Sequence, residues 1–241
     1  MPEDQAHLGG YFKGDPNAWC PDLWNLVHDK LHVKSVLDVG CGIGRSTAYF
    51  KKIGCEVLGV DGSPEAKHES LIPEFHIVHD FTKGPFIPPK KYDLIWSCEF
   101  VEHVEEPCLD NILQTFGSSN KYIMMTHAQP GQMGYHHVNC RSGVYWITKL
   151  YKIGFKIDFC LTKEARKVAG HGYFKKDGLV FIRQQGATGS VPVVFYVSVL
   201  LHQCIWYMQY IISFCKEKGF PETIRKLYGR LLRVGFLCSQ K

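Results

Sequence analysis

From Val33 onwards, short runs of apolar and β-branched residues alternate with longer segments of mixed polarity. The centres of these runs are almost continuously apolar, which is typical of strands that are covered on both faces. The pattern therefore predicts an α/β fold with a doubly wound, mostly parallel sheet. The first five runs lie at residues 35–40, 56–62, 75–81, 91–97 and 121–128.

Two more apolar runs follow at residues 155–161 and 178–184 and bring the predicted sheet to seven strands. Because they are close in sequence, we expect them to form a hairpin that ends near Gln184. Pro21 and Gly54 are typical of a helix start and a helix end, respectively. Helices are predicted at residues 22–31, 45–54 and 144–154.

A Gly-containing segment at residues 185–190 marks a boundary in the chain. The sequence thus predicts three parts. These are an N-terminal lid and helix at residues 1–32, an α/β domain at residues 33–185, and a helical, hydrophobic appendage at residues 190–241. The lid is predicted because residues 7–19 are too rich in glycine to form a helix and carry aromatic side chains.

The appendage begins with residues 191–215, which run for 25 residues without a formal charge. This length is sufficient for a membrane span, although His202 and Gln203 near its middle are costly in lipid. The basic segment that follows is typical of a helix lying on an anionic surface. We expect residues 191–241 to attach the protein to a membrane from one side. A true span and packing against protein are the alternatives.

The composition separates the appendage from the rest of the chain. Residues 1–215 hold 21 Lys/Arg and 21 Asp/Glu, whereas residues 216–241 hold seven Lys/Arg and two Glu. The balanced part shows no basic stripe, so we expect no nucleic-acid partner for it. Ten cysteines without a C-x-x-C pair indicate reduced thiols, and the N-terminus lacks the pattern of a signal peptide. These features predict a cytoplasmic protein, attached to the cytoplasmic face of a membrane if the appendage binds lipid.

A glycine-rich turn follows the first predicted strand in the pattern D-x-G-x-G-x-G. Glycines at these positions let the backbone turn tightly and approach a ligand. Acidic residues close the second and third strands, where a carboxylate can bind ribose hydroxyls or an adenine amine. An NAD-binding Rossmann unit is the alternative, but its glycine spacing differs. The candidate cofactor-binding residues are Asp38, Gly40, Gly42, Gly44, Asp61 and Asp80.

Over residues 30–185 these motifs and the strand count resemble the class I S-adenosylmethionine-dependent methyltransferases. The resemblance implies a Rossmann-like, seven-stranded fold with S-adenosylmethionine as the cofactor. It also implies that Asp38 and the glycines hold the methionine end, Asp61 the ribose and Asp80 the adenine.

An acid-rich stretch, SCEFVEHVEEP, follows the fourth predicted strand, where the acceptor must lie in this class. If a helix begins near Glu99, then Glu99, Glu102 and His103 share one face and converge on a point. Two carboxylates and an imidazole suit Mg²⁺ or Mn²⁺. The arrangement resembles the E-x-x-E-H metal site of small-RNA 2′-O-methyltransferases and ubiquinone-biosynthesis O-methyltransferases. The alternative is that His103 forms the wall of the cofactor pocket.

The loop beyond the fifth strand offers a fourth metal ligand or a general base. His136 or His137 is the candidate ligand, and His127, His136 and His137 are candidate bases. Such a site predicts a metal-assisted O-methyltransferase that acts on a hydroxyl of a sugar or another small polyhydroxylated acceptor. A lipid-soluble phenol or an RNA 3′-terminal ribose is the alternative acceptor. A catalytically idle, membrane-tethered cofactor-binding module is the alternative from another class.

Overall fold

The computed structural model describes Leu8 and residues 14–184. Within this part the chain forms seven strands and seven helices. The strands are β1 (Ser35–Val39), β2 (Glu56–Asp61), β3 (His76–Val78), β4 (Leu94–Ser97), β5 (Tyr122–Met125), β6 (Phe155–Ile157) and β7 (Leu179–Arg183). The helices are α1 (Pro21–Asp29), α2 (Arg45–Lys52), α3 (Pro64–His68), α4 (Leu109–Phe116), α5 (Gly143–Lys152), α6 (Phe159–Ala169) and α7 (Gly172–Asp177).

The strands form one sheet in the order β3-β2-β1-β4-β5-β7-β6. All neighbours are parallel except β7, which is antiparallel to both β5 and β6. At the centre, Val36 of β1 lies opposite Val57 of β2 on one side and Leu94 of β4 on the other. Because β1, β2 and β4 are parallel, their carboxyl ends meet at one edge of the sheet. The residues that follow these strands are therefore brought together there.

An aromatic cluster joins the sheet to the helices on one face. The ring of Trp96 in β4 stacks on Phe174 of α7 at 5.3 Å between centroids, and it meets Trp24 of α1 edge-on at 5.9 Å. Phe50 of α2 completes the contact. All four side chains are almost fully buried, and burying an aromatic side chain stabilises a fold by about 1.5–3 kcal/mol. This cluster fixes α1, α2 and α7 around the carboxyl edge of the sheet.

The predicted fold class is confirmed, but the predicted hairpin is wrong. β6 ends at Ile157, and α6 and α7 lie between it and β7, although the two strands do pair antiparallel. The reason is local. The side chain of Asp158 accepts a hydrogen bond from the Leu161 backbone N–H at 2.9 Å and caps α6, so the apolar run turns into a helix.

The other differences are smaller. α1, α2 and α5 agree with the predicted helices to within two residues, whereas α3 and α4 were not predicted. In the described part, no helix has the length and apolar character needed to cross a membrane. The predicted appendage at residues 190–241 and part of the predicted lid, residues 7 and 9–13, lie outside the described residues.

Candidate active site

A cavity of about 410 Å³ lies at the carboxyl edge of the sheet. Its walls come from the ends of β1, β2 and β4, from the segment that precedes α1, and from the loop after β5. All six candidate cofactor-binding residues except Gly44 line it. A cavity of this size is typical of small-molecule sites.

The glycine-rich turn between β1 and α2 uses backbone conformations that other residues rarely adopt. Gly40, Gly42 and Gly44 have φ angles of 75°, 53° and 81°. A Cβ atom on Gly40 would lie 2.5 Å from the ring of Phe100. The turn therefore leaves no space for a side chain here, and its backbone forms part of the cavity wall.

Asp38 lies at the end of β1 and is almost fully buried. Its Oδ2 accepts hydrogen bonds from the hydroxyl groups of Ser46 and Thr47, each at 2.6 Å. Burial raises the pKa of Asp38 to about 6, although these two hydrogen bonds oppose the shift. The carboxylate is thus held by the first turn of α2 and faces the cavity.

Asp61 and Asp80 occupy the positions that the sequence predicts for the ribose and the adenine. Asp61 ends β2 and accepts hydrogen bonds from the backbone N–H groups of Gly42 at 2.8 Å and Ser63 at 2.9 Å. Burial raises its pKa. Asp80 caps a short 3-10 turn by accepting bonds from the backbone and hydroxyl of Thr82. Their assignments to ribose and adenine remain predictions.

The turn after β4 is not the predicted helix. Glu99 has a φ of 55°, and only a 3-10 turn at Val101–His103 follows. The Glu99 backbone N–H donates to the Thr126 hydroxyl at 2.8 Å, and that hydroxyl lies 2.9 Å from Glu99 Oε1. This pair of contacts with the end of β5 holds Glu99 in a left-handed conformation, so Glu99 and Glu102 do not share a helix face.

A different group of three residues comes together beside the cavity. Glu102, His103 and His137 each offer a ligand atom within 4.8 Å of the others. The Glu102 carboxyl group is fully buried, and neither of its oxygens has the geometry of a hydrogen bond to a described residue, although the carboxyl group of Glu99 lies close enough to interact with it. His137 Nδ1 lies 3.2 Å from the Gln132 carbonyl oxygen. Since a carbonyl can only accept, Nδ1 carries the proton and Nε2 has a free lone pair.

The charges of this group favour a bound cation. Burial raises the pKa of Glu102, and the nearby charge of Glu99 raises it further. Burial lowers the pKa of His103 to about 4, and the neighbouring His137 adds to the shift. The imidazole of His103 is therefore neutral near pH 7, as a metal ligand must be. A divalent ion would compensate the buried carboxylate, and two imidazoles with one carboxylate suit a first-row transition ion such as Mn²⁺ better than Mg²⁺.

The structure does not bring all the predicted site residues into this group. Glu99 lines the cavity but is not one of the three, and the third member is His137 rather than His136. His136 has a φ of 48°, and its Nε2 is buried without a partner in the described part. His127 is buried, with Nδ1 3.5 Å from the Ala128 carbonyl oxygen, and does not line the cavity. The catalytic roles of these histidines remain predictions.

Asp15 and Tyr173 also line the cavity, and the sequence singled out neither as a site residue. Asp15 lies within the predicted lid at residues 7–19, and its preference for a turn before Pro16 and Asn17 is a second signal. Tyr173 belongs to α7, which lies between β6 and β7 and was not predicted. No feature of the sequence therefore indicated that Tyr173 is near the site. His79, held between Phe81 and Phe86, is a third such residue.

Comparison with known proteins identifies the family. A family model described as a methyltransferase domain matches residues 11–135. The mitochondrial ubiquinone biosynthesis O-methyltransferase of Schizosaccharomyces pombe is 35% identical over 83 residues, which cover 31% of this chain and 30% of that protein. The chloroplastic tocopherol O-methyltransferase of Arabidopsis thaliana is 38% identical over 84 residues, which cover 31% of this chain and 24% of that protein. The chain thus spans about a third or less of the length of these relatives.

Solved structures show the same fold at low sequence identity. The plantazolicin methyltransferase in complex with SAH and a substrate analogue aligns with a TM-score of 0.54 at 17% identity, covering 76% of this chain and 92% of that one. The magnesium protoporphyrin IX methyltransferase from Synechocystis PCC 6803 with bound SAH aligns with a TM-score of 0.50 at 16% identity. The alignment covers 67% of this chain and 80% of that one. The chain therefore belongs to the methyltransferase-domain family and has the fold of methyltransferases that bind SAH.

Proposed function

We propose that this enzyme transfers the methyl group of S-adenosylmethionine to a hydroxyl oxygen of a lipid-soluble phenol, with the assistance of a divalent ion. The observation that carries the proposal is the buried Glu102 carboxyl group, which no cationic side chain of the described residues is recorded as pairing and which lies beside Glu99, His103 and His137. The names of the relatives, which refer to ubiquinone biosynthesis and tocopherol, support a phenolic acceptor.

The cavity residues bind and orient the cofactor in this proposal. Asp38 and the glycine turn hold the methionine end, Asp61 accepts hydrogen bonds from the ribose, and Asp80 binds the adenine amine. Each of these aspartates is fixed by at least two hydrogen bonds from its own surroundings. Fixed carboxylates lose little conformational entropy when they bind a ligand.

Methyl transfer from a sulfonium is an in-line displacement, so the protein must align donor and acceptor and exclude water. Glu102, His103 and His137 would hold the ion, which when bound supplies Lewis-acid activation of a hydroxyl group. Glu99 lies at the cavity wall, anchored by Thr126, and is placed to accept a hydrogen bond from the acceptor hydroxyl. His137 keeps its orientation through Gln132.

Other acceptors are less well supported. A sugar acceptor stays an untested prediction, because no relative named above acts on a sugar by its name. An RNA end would bring phosphate groups, and the described cavity wall includes six acidic residues but only one arginine, Arg45. A lipid-soluble acceptor is also compatible with our proposal that residues 191–241 bind the cytoplasmic face of a membrane.

The test is formation of S-adenosylhomocysteine by the full chain with three acceptors: an alkyl-substituted catechol, a free sugar and an RNA oligonucleotide. Each reaction is run with Mn²⁺, with Mg²⁺ and with a chelator. We expect turnover of the catechol alone, and loss of turnover in chelator without loss of cofactor binding by calorimetry. Cofactor binding without turnover of any acceptor would instead support the idle module.

A further inference from the structure

Two residues from distant parts of the chain form a hydrogen-bonded pair at the cavity wall. The Tyr173 hydroxyl donates to Asp15 Oδ2 at 2.6 Å, and both side chains line the cavity. The other carboxylate oxygen, Asp15 Oδ1, accepts bonds from the backbone N–H of Asn17 at 2.8 Å and from its side-chain amide at 3.0 Å. Three donors therefore fix the orientation of this carboxylate.

The backbone around the pair is tightly packed. Gly172 begins α7 with a φ of 73°, and a Cβ atom there would lie 1.9 Å from the Asn17 carbonyl oxygen. Only glycine fits at this position. The start of α7 thus packs directly against the Pro16–Ala18 turn, and Tyr173 lies within hydrogen-bond distance of Asp15.

The pair lies near Glu99, which the proposed function places beside the acceptor hydroxyl. Three cavity acids end or follow β1, β2 and β3 and are assigned above to the cofactor. Asp15 is not among them, and its charge acts on Glu99, the residue that follows β4. Burial alone would raise the pKa of Asp15, but hydrogen bonds from Tyr173 and Asn17 outweigh it and lower the pKa. The carboxylate is therefore ionised near pH 7.

We propose that Asp15, oriented by Tyr173, is a specificity-determining residue that selects an uncharged, hydroxyl-bearing acceptor over one that carries a carboxylate. A hydroxyl can donate a hydrogen bond to the fixed Asp15 carboxylate, whereas an acceptor carboxylate has no proton to donate and adds a like charge. The inference rests on the proposed function, because it names the charge of the acceptor that the same cavity takes.

The test compares two catechols of nearly equal size, protocatechuyl alcohol and protocatechuate, which differ in a hydroxymethyl group and a carboxylate. Their dissociation constants are measured by calorimetry on the full chain saturated with S-adenosylhomocysteine, so the result does not depend on turnover. We expect the parent protein to bind the alcohol about tenfold more tightly, the size of a like-charge repulsion at a partly screened distance.

Four variants separate this role from a structural one. Asp15→Asn should bring the two affinities to within about twofold of each other, and Asp15→Glu should restore the preference because it keeps the charge. Tyr173→Phe should weaken binding of the alcohol more than binding of the carboxylate, since Asp15 stays charged but loses its orientation. Asp22→Asn, at an exposed aspartate outside the cavity, should leave the preference unchanged.

The outcomes are distinguishable. The inference is wrong if the parent binds both catechols equally, binds protocatechuate more tightly or binds neither. It is also wrong if Asp15→Asn keeps the preference of the parent for the alcohol. If Asp15→Asn fails to fold, Asp15→Glu and Tyr173→Phe still decide, because a merely structural role would weaken both ligands equally. The proposed function fails separately, if neither catechol is methylated when S-adenosylmethionine is supplied, whatever their affinities.

Discussion

The backbone carbonyl oxygen of Glu102 accepts hydrogen bonds from the backbone N–H groups of both Val138 and Asn139, each at 3.0 Å. These bonds join the turn after β4 to the loop after β5. They also place His137, the residue before Val138, next to His103, with 5.1 Å between the ring centroids. The candidate metal-binding group of Glu102, His103 and His137 therefore depends on a contact between two loops and not on one helix face.

The first prediction concerns Glu102. Glu102→Gln keeps the shape of the side chain but removes the charge, so Mn²⁺ affinity should fall by at least about tenfold, since even residues that only support a metal ligand contribute that much. Turnover should fall with it, while cofactor binding stays near that of the parent. Calorimetry with Mn²⁺ and with S-adenosylmethionine measures the two effects separately.

The matched control is Glu74→Gln, at an exposed glutamate outside the cavity. It should bind the ion as the parent does. His137→Ala and His136→Ala should differ in the same assay, with only the former losing affinity. Equal ion binding by the parent and Glu102→Gln would show that these residues hold no metal.

The second prediction concerns the steric role of Gly40. Gly40→Ala introduces both a strained positive φ and a clash with Phe100. Gly131→Ala introduces the strain alone, because its φ of 85° is similar but nothing lies within 4 Å of its Cβ position. Strained backbone costs about 1–3 kcal/mol. Gly40→Ala should therefore lower the free energy of unfolding by more than Gly131→Ala does. Chemical denaturation measures both, and equal losses would contradict the clash.

The parts of the fold that follow from local pattern could be predicted from the sequence. The near-continuously apolar runs predicted the parallel strands, and the glycine turn and the three aspartates pointed to the cavity that we propose for the cofactor. The hairpin prediction failed because a single capping residue, Asp158, redirects an apolar run into α6. In so short a run, the periodicity of apolar residues cannot show that a capping residue ends the strand and begins a helix.

The candidate site could be predicted only in part, because its geometry comes from contacts between distant residues. Glu99 leaves the predicted helix because Thr126, 27 residues later, bonds its backbone and its side chain. The choice of His137 over His136 depends on which backbone N–H groups reach Glu102. Neither contact can be inferred from the spacing of residues in the sequence.

The third prediction concerns residues 191–241, which lie outside the described residues. The full chain should sediment with vesicles of phosphatidylserine and phosphatidylcholine, and a chain that ends at Gly189 should not. Each basic residue near an anionic surface contributes about 1 kcal/mol, so replacing Arg225, Lys226, Arg230 and Arg233 by Gln should abolish most of the binding. Phosphatidylcholine vesicles alone are the control. Equal behaviour of the full and shortened chains would favour packing of the segment against protein.

The fourth prediction concerns the pH dependence that Asp38 imposes. Burial raises its pKa from the ordinary 3.8 to about 6, so folding favours the protonated form. Its stabilising contribution is therefore complete below pH 3.8 and is lost as the pH rises through 6. Cofactor binding has the opposite dependence, because the carboxylate is the form that attracts the ammonium group of the methionine end.

Asp38→Asn should remove both dependences. Between pH 5 and pH 8 the free energy of unfolding of the unliganded parent should fall relative to that of Asp38→Asn by on the order of 1 kcal/mol, and the variant should bind the cofactor weakly at either pH. Chemical denaturation without cofactor at the two pH values gives the difference. Buried acids that do not interact with Asp38 titrate in both proteins and cancel in this comparison. Asp110→Asn, at an exposed aspartate, should follow the parent. A parallel course for the parent and Asp38→Asn would mean that the Asp38 carboxyl is not protonated on folding.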